Sequence, residues 1–119
     1  MTDVPTLEDL LERLKENDSI SDAVLVSRSG MHIAGTVPKG AHTETFVAMS
    51  AILLGAAETS TSELKDTLKY VVIDLVKSRI LLTGVSSRAL LVMRTAQGSD
   101  TENILKTVSG YRKAIEDAL

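Results

Sequence analysis

Leu7, Leu10, Leu11 and Leu14 recur at i, i+3, i+4 and i+7 with Glu8, Glu12, Arg13 and Lys15 between them. That spacing predicts an amphipathic helix over residues 6–17. Thr6 is its expected N-cap, with Asp9 three residues on as a weak capping box, and Asn17-Asp18 its stop. Ala23–Val26 then reads as a strand, Ser27–Gly30 as a turn closed by a left-handed Gly30, and Met31–Ala34 as the returning strand. Gly35 to Gly40, with Pro38 among them, form a loop.

The next segment, Phe46-Val-Ala-Met-Ser-Ala-Ile-Leu-Leu-Gly-Ala-Ala57, has no polar side on a helical wheel. Phe46, Met49, Leu53 and Ala57 fall on one side with Leu54 flanking them. Ala48, Ala51, Ile52 and Gly55 fall on the other, and only Ser50 breaks the pattern. The predicted helix runs from His42 or Thr43 to Glu58, extendable through Leu64, with Thr43 as its cap. A helix apolar all round must be covered on more than one face. One face can rest on the chain's own sheet; the other is expected to meet a second protein. Gly55 is unfavourable in a helix by about 1 kcal/mol relative to Ala, but a small-residue face allows another backbone to approach.

Tyr70–Val76, Arg79–Val85 and Arg88–Arg94 read as three strands joined by the short connectors Lys77-Ser78 and Ser86-Ser87, an antiparallel meander. Two-residue turns place Val71, Ile73, Leu75, Ile80, Leu82, Gly84, Ala89, Leu91 and Met93 on one face. Tyr70, Val72, Asp74, Val76, Leu81, Thr83, Val85, Arg88, Leu90, Val92 and Arg94 take the other. Both faces are largely apolar, so the sheet needs helices on both sides. Ser99 with Glu102 suggests a capping box for a last helix whose buried stripe is Ile104, Val108, Tyr111, Ile115 and Leu119. The predicted order is α-β-β-α-β-β-β-α, an α+β sandwich in one domain spanning residues 1–119.

Composition narrows the function. Net charge is −3, with no Lys/Arg cluster and 3% aromatics, which disfavours nucleic acid. Without cysteine there is no disulfide, thiolate zinc site or cysteine nucleophile. The polar Met1-Thr-Asp-Val-Pro5 start does not read as a signal peptide. The longest apolar stretch is too short to span a bilayer, so no membrane insertion and a cytoplasmic location are expected.

Three pieces together resemble the Roadblock/dynein light-chain domain family: the hairpin Ser21–Ala34, the Ala/Leu-rich helix 46–57, and the meander from Tyr70–Val76 through Ala89–Met93. The hairpin carries a polar-Arg-x-Gly turn, with Ser27 where relatives often have an acidic residue. The resemblance covers Leu7 to Leu119. It implies a profilin-like, Roadblock-like five-stranded antiparallel sheet, with the central helix on one face and the terminal helices on the other. It also implies dimers in which central helices pack together and third strands pair edge to edge. Relatives serve as scaffolds or regulators of small Ras-like GTPases, or as light chains on motor complexes. The interface expected on this basis comprises Ala48, Ala51, Ile52, Gly55 and Thr59 on the helix, and Tyr70, Val71, Val72, Ile73 and Asp74 on the strand. The small helix face would approach the symmetry mate while Phe46, Met49 and Leu53 rest on the sheet; the reverse also satisfies the pattern.

Reactive motifs are sparse. The chain has no G-x-x-x-x-G-K-[ST], so any GTPase is another protein, and neither G-x-G-x-x-G nor G-x-S-x-G occurs. No enzyme activity, cofactor or metal is expected. His32 and His42 lack companions at ligand spacing. Asp74, one carboxylate in Val-Val-Ile-Asp-Leu-Val, reads as an edge-strand gatekeeper, a partner of Arg88 or Arg94, or a determinant of dimer register. Arg28 and Arg79 sit at turns and read as solvated rather than as residues reaching a partner's nucleotide site. Gly98-Ser-Asp100 is a poor anion site, because Asp100 and Glu102 already supply negative charge at the helix start.

The favoured reading is a homodimeric adaptor whose partner is a small Ras-like GTPase. The alternative is a profilin-like or PAS-like small-molecule sensor, which needs a cavity with convergent polar groups.

Overall fold

The computed structural model describes residues 1–119. Its elements are α1 (Val4–Leu14), β1 (Ile20–Ser27), β2 (His32–Gly35), α2 (Thr43–Ser62), β3 (Val71–Asp74), β4 (Ser78–Gly84), β5 (Ala89–Ala96) and α3 (Thr101–Ala118). The five strands form one antiparallel sheet in the order β2-β1-β5-β4-β3. The predicted element order and fold class match.

Two cores sandwich the sheet. Leu7, Leu10, Leu11 and Leu14 of α1 and Ile104, Val108 and Ile115 of α3 pack with Leu25, Leu81, Leu91 and Met93 on one side. Val47 and Leu54 of α2 pack with Val24, Val26, Leu82, Leu90 and Val92 on the other. Because β1 and β5 are central and covered on both faces, Ala23–Val26 and Ala89–Met93 are buried without alternation.

The meander register differs from the two-residue expectation at its second turn. Leu81 faces Met93 and Leu82 faces Val92, while the Val85 and Ser86 amides both donate to the Ala89 carbonyl. The connection therefore holds one residue more than predicted. An odd shift turns every later side chain to the opposite face. Ala89, Leu91 and Met93 consequently join Leu81 under α1 and α3, and Leu90 and Val92 join Leu82 under α2. The first turn, with Leu75 N–H bonded to Ser78 O, keeps the predicted parity of β3 and β4.

All three helices begin one or more residues from their expected caps. Asp3, not Thr6, caps α1: its carboxylate accepts from the Thr6 amide at 3.2 Å and the Thr6 hydroxyl at 2.7 Å. These bonds hold the Asp3 carboxyl below its ordinary value of 3.8. His42, not Thr43, caps α2 through Nδ1, which accepts a long bond of 3.4 Å from the Thr45 amide. Asp100, not Ser99, caps α3, while the Ser99 hydroxyl bonds Thr95 Oγ1 at 3.1 Å. Tyr111, placed in the buried stripe of α3, is half-buried and Ala118 is buried instead.

The two sheet edges are unlike. At β2, the Gly35 amide donates to the Glu8 carboxylate of α1 at 2.8 Å, and His32 Nε2 lies 2.7 Å from the Gly35 carbonyl. Gly35 has φ +84, and a Cβ there would overlap the Ala23 carbonyl oxygen. At the other side β3 pairs only with β4, and its outer backbone is open.

Candidate interaction surface

The helical wheel divides α2 differently from the two faces drawn from sequence. The buried residues are Val47, Ser50 and Leu54, with Phe46 and Ala51 packed partly against the same core. Ser50 is buried because its hydroxyl donates to the Phe46 carbonyl at 2.8 Å, which removes its demand for water. The sheet-facing stripe thus runs between the bulky and small sides and contains the one polar residue. Met49 and Leu53, expected on the sheet, are exposed, and so are Ile52, Ala56 and Thr59.

The expected interface residues separate accordingly. Ile52 and Thr59 lie on the open side of α2. Ala48 is half-buried against the first hairpin; a Cβ on Gly30 would stand 3.2 Å from its Cα, and Gly30 holds φ +92. Ala51 is half-buried over the second core. Gly55 is half-buried, with open space where a Cβ would project.

On β3, Val71 and Ile73 turn toward α2 while Tyr70 and Val72 turn toward α3. The Tyr70 hydroxyl lies 3.3 Å from the Glu102 carboxylate. Asp74 pairs across the strand with Arg79 at 2.6 Å, not with Arg88 or Arg94; Arg94 is taken by Asp22 at 2.8 Å.

Side chains from α2 and the β3–β4 corner enclose an apolar groove of about 350 Å³, where Met49 and Leu53 face Ile73 and Leu75. Leu75 and Val76, at the β3–β4 turn, extend the exposed apolar surface. Met49, Leu53, Leu75 and Val76 are not among the interface residues expected from sequence. Their signal lies there as the apolar corner Leu75-Val76, which pattern reading assigns to the strand's two faces.

Both turn arginines are tethered rather than solvated. Arg28 reaches Glu58 of α2 at 2.7 Å and the Ser86 carbonyl at 3.2 Å. Arg79 holds Asp74, the Ser99 carbonyl and the Thr101 hydroxyl, pinning the β3–β4 corner to the start of α3. The bond to Asp74 raises the Arg79 pKa, so its charge is present throughout the accessible range. No helix is long and apolar enough to cross a membrane.

Among curated protein sequences none matches this chain. Among solved structures, a Roadblock/LC7 domain from Streptomyces avermitilis superposes with TM-score 0.81 at 14% identity, covering 92% of this chain and 94% of that one. Gliding protein MglB from Thermus thermophilus gives TM-score 0.82 at 16% identity, covering 99% and 91%. Schizosaccharomyces pombe profilin gives TM-score 0.65 at 12% identity, covering 92% and 96%. At such identities these likenesses speak to the fold. The sequence itself matches the family model of the Roadblock/LC7 domain over residues 6–95, which includes both hairpin strands, α2 and the meander, and the chain therefore belongs to the Roadblock/LC7 domain family.

Proposed function

We propose that this chain is a non-enzymatic, cytoplasmic adaptor or regulator that works as a homodimer and presents its paired α2 helices to a small Ras-like GTPase. The observation that carries the proposal is one continuous apolar surface beside a single open strand: Met49, Ile52 and Leu53 on α2, Leu75 and Val76 at the corner, and the outer backbone of β3. Membership of the Roadblock/LC7 family supports an adaptor or regulator role.

In the proposed dimer β3 pairs with its symmetry copy, satisfying the open amides and carbonyls, while the exposed side of α2 packs on its mate. Ile52 and Thr59 remain interface residues, together with Gly55 and the β3 backbone from Tyr70 to Asp74. Ala48 and Ala51 contribute at the margin. Exposed large apolar side chains grouped in this way mark interaction surfaces in soluble proteins.

Two measurements separate the two halves of the reading. Sedimentation of the full chain should show a dimer at micromolar concentration; a stable monomer refutes the self-pairing. Binding of a purified small Ras-like GTPase, loaded with GDP or a GTP analogue, should favour one nucleotide state. Binding of neither, with the dimer intact, removes the GTPase and leaves the scaffold.

A further inference from the structure

A polar cavity shares no lining residue with the apolar groove. It holds about 520 Å³ where the β4–β5 turn, the segment before β3, α2 and α3 converge, and three of its thirteen lining residues are hydrophobic. Its walls carry three cations, Arg28, Lys69 and Arg112, against one carboxylate, Glu58. A net positive cavity in a chain of net charge −3 is a local concentration, not the average surface.

The cations are not equally engaged. Arg28 spends one N–H on Glu58 and one on the Ser86 carbonyl, and its buried Nε has no acceptor. Arg112 uses Nη1 to bond the Gly84 carbonyl at 2.6 Å. The chain's ion pairs are Arg13–Asp9, Lys15–Glu12, Arg28–Glu58, Arg79–Asp74, Arg94–Asp22 and Lys113–Asp117, so Arg112 and Lys69 have no carboxylate partner. Gly84 is part of the design. A Cβ on it would stand 2.5 Å from Arg28 Nη2, so only glycine lets the Arg28 guanidinium lie against the strand while Arg112 holds the same residue's carbonyl. Ser and Thr hydroxyls complete the lining.

We propose that this cleft binds a small dianion bearing a phosphoryl or paired carboxylate group. A guanidinium presents parallel N–H donors that match two oxygens of such a group, and an ammonium adds a mobile point charge. Glu58 fixes Arg28 as a wall, and Arg112 and Lys69 supply the charge that the ligand neutralises. The volume falls in the range of small-molecule sites.

The test is an amide-resolved NMR titration of the full chain with inorganic phosphate and, separately, succinate, in chloride buffer at constant ionic strength. Saturable shifts should cluster at Arg28, Gly84–Ser87, Leu105, Ser109 and Arg112. Binding of phosphate alone identifies a phosphoryl ligand, and binding of succinate alone a dicarboxylate; either supports the site, as does binding of both. Arg112→Gln and, independently, Lys69→Gln should weaken binding about tenfold, the loss of one charge-assisted contact. Lys113→Gln, on the exposed side of the same helix, should not. Neither anion exceeding chloride, or all three variants behaving alike, overturns the proposal.

Discussion

Replacing Ile52 by Glu should abolish pairing while leaving the fold intact. The exposed fractions of Met49 (55%), Ile52 (60%), Leu53 (40%), Leu75 (48%) and Val76 (87%) amount to roughly three whole side chains. At about 1.5–3 kcal/mol per buried side chain, a symmetric pair gains on the order of 9–18 kcal/mol. Association costs roughly 4–15 kcal/mol, so the balance rests on few groups. Ile52 accounts for about 1–2 kcal/mol per protomer, and symmetry counts it twice, giving roughly 2–4 kcal/mol. That alone weakens dimerisation about 30- to 1,000-fold, and two carboxylates forced into an apolar seam add to the loss. The isolated protomer should tolerate the change, since residue 52 is exposed and Glu favours helix over Ile. Sedimentation across micromolar to submillimolar concentrations, with thermal unfolding as the control, reads both effects. A variant that folds and still pairs with wild-type affinity refutes the placement of the seam on this side of α2.

Gly35→Ala should cost several kcal/mol, read as a lower denaturant midpoint, because φ is +84 and the new Cβ meets backbone at Ala23 and lies 2.7 Å from Leu11 Cδ1. His42→Asp should stabilise the protein by about 0.5–1 kcal/mol, since a carboxylate accepts more strongly than the 3.4 Å imidazole contact and faces the positive end of α2; an unchanged midpoint rejects that account of the cap. Asp3 has a lowered folded pKa, so its stabilisation is full above its ordinary value of 3.8 and is lost as pH falls below it through the folded value. Asp3→Asn keeps a capping oxygen but cannot titrate, and acid unfolding followed by circular dichroism should become less steep below pH 3.8. The same slope in both proteins contradicts it.

Most of the architecture is legible because periodicity changes sharply along the chain. The leucine stripe of α1, the apolar strands and the featureless α2 each match one environment: one covered face, two covered faces, or a sheet below and exposed apolar side chains above. What escapes pattern reading is decided by single atoms. One extra residue between β4 and β5 reverses the faces of β5, and nothing in the run Gly84-Val-Ser-Ser-Arg88 distinguishes the two connections. Ser50 looks like an interruption until its hydroxyl closes on the Phe46 carbonyl. Helix starts slide because polar residues stand side by side at His42-Thr43 and Ser99-Asp100, and the path of the incoming chain chooses among them. The roles of Arg28 and Arg79 depend on partners 20–58 positions away, which local pattern does not report.

The inequality of the two sheet margins bears on how far assembly can proceed. A β-layer able to recruit neighbours on both flanks would elongate without limit, the geometry of fibres. Here Glu8 and His32 occupy one flank, leaving a single unsealed side. In the proposed dimer, growth by strand addition would therefore terminate after one encounter, giving a finite object with a two-fold axis rather than a fibre.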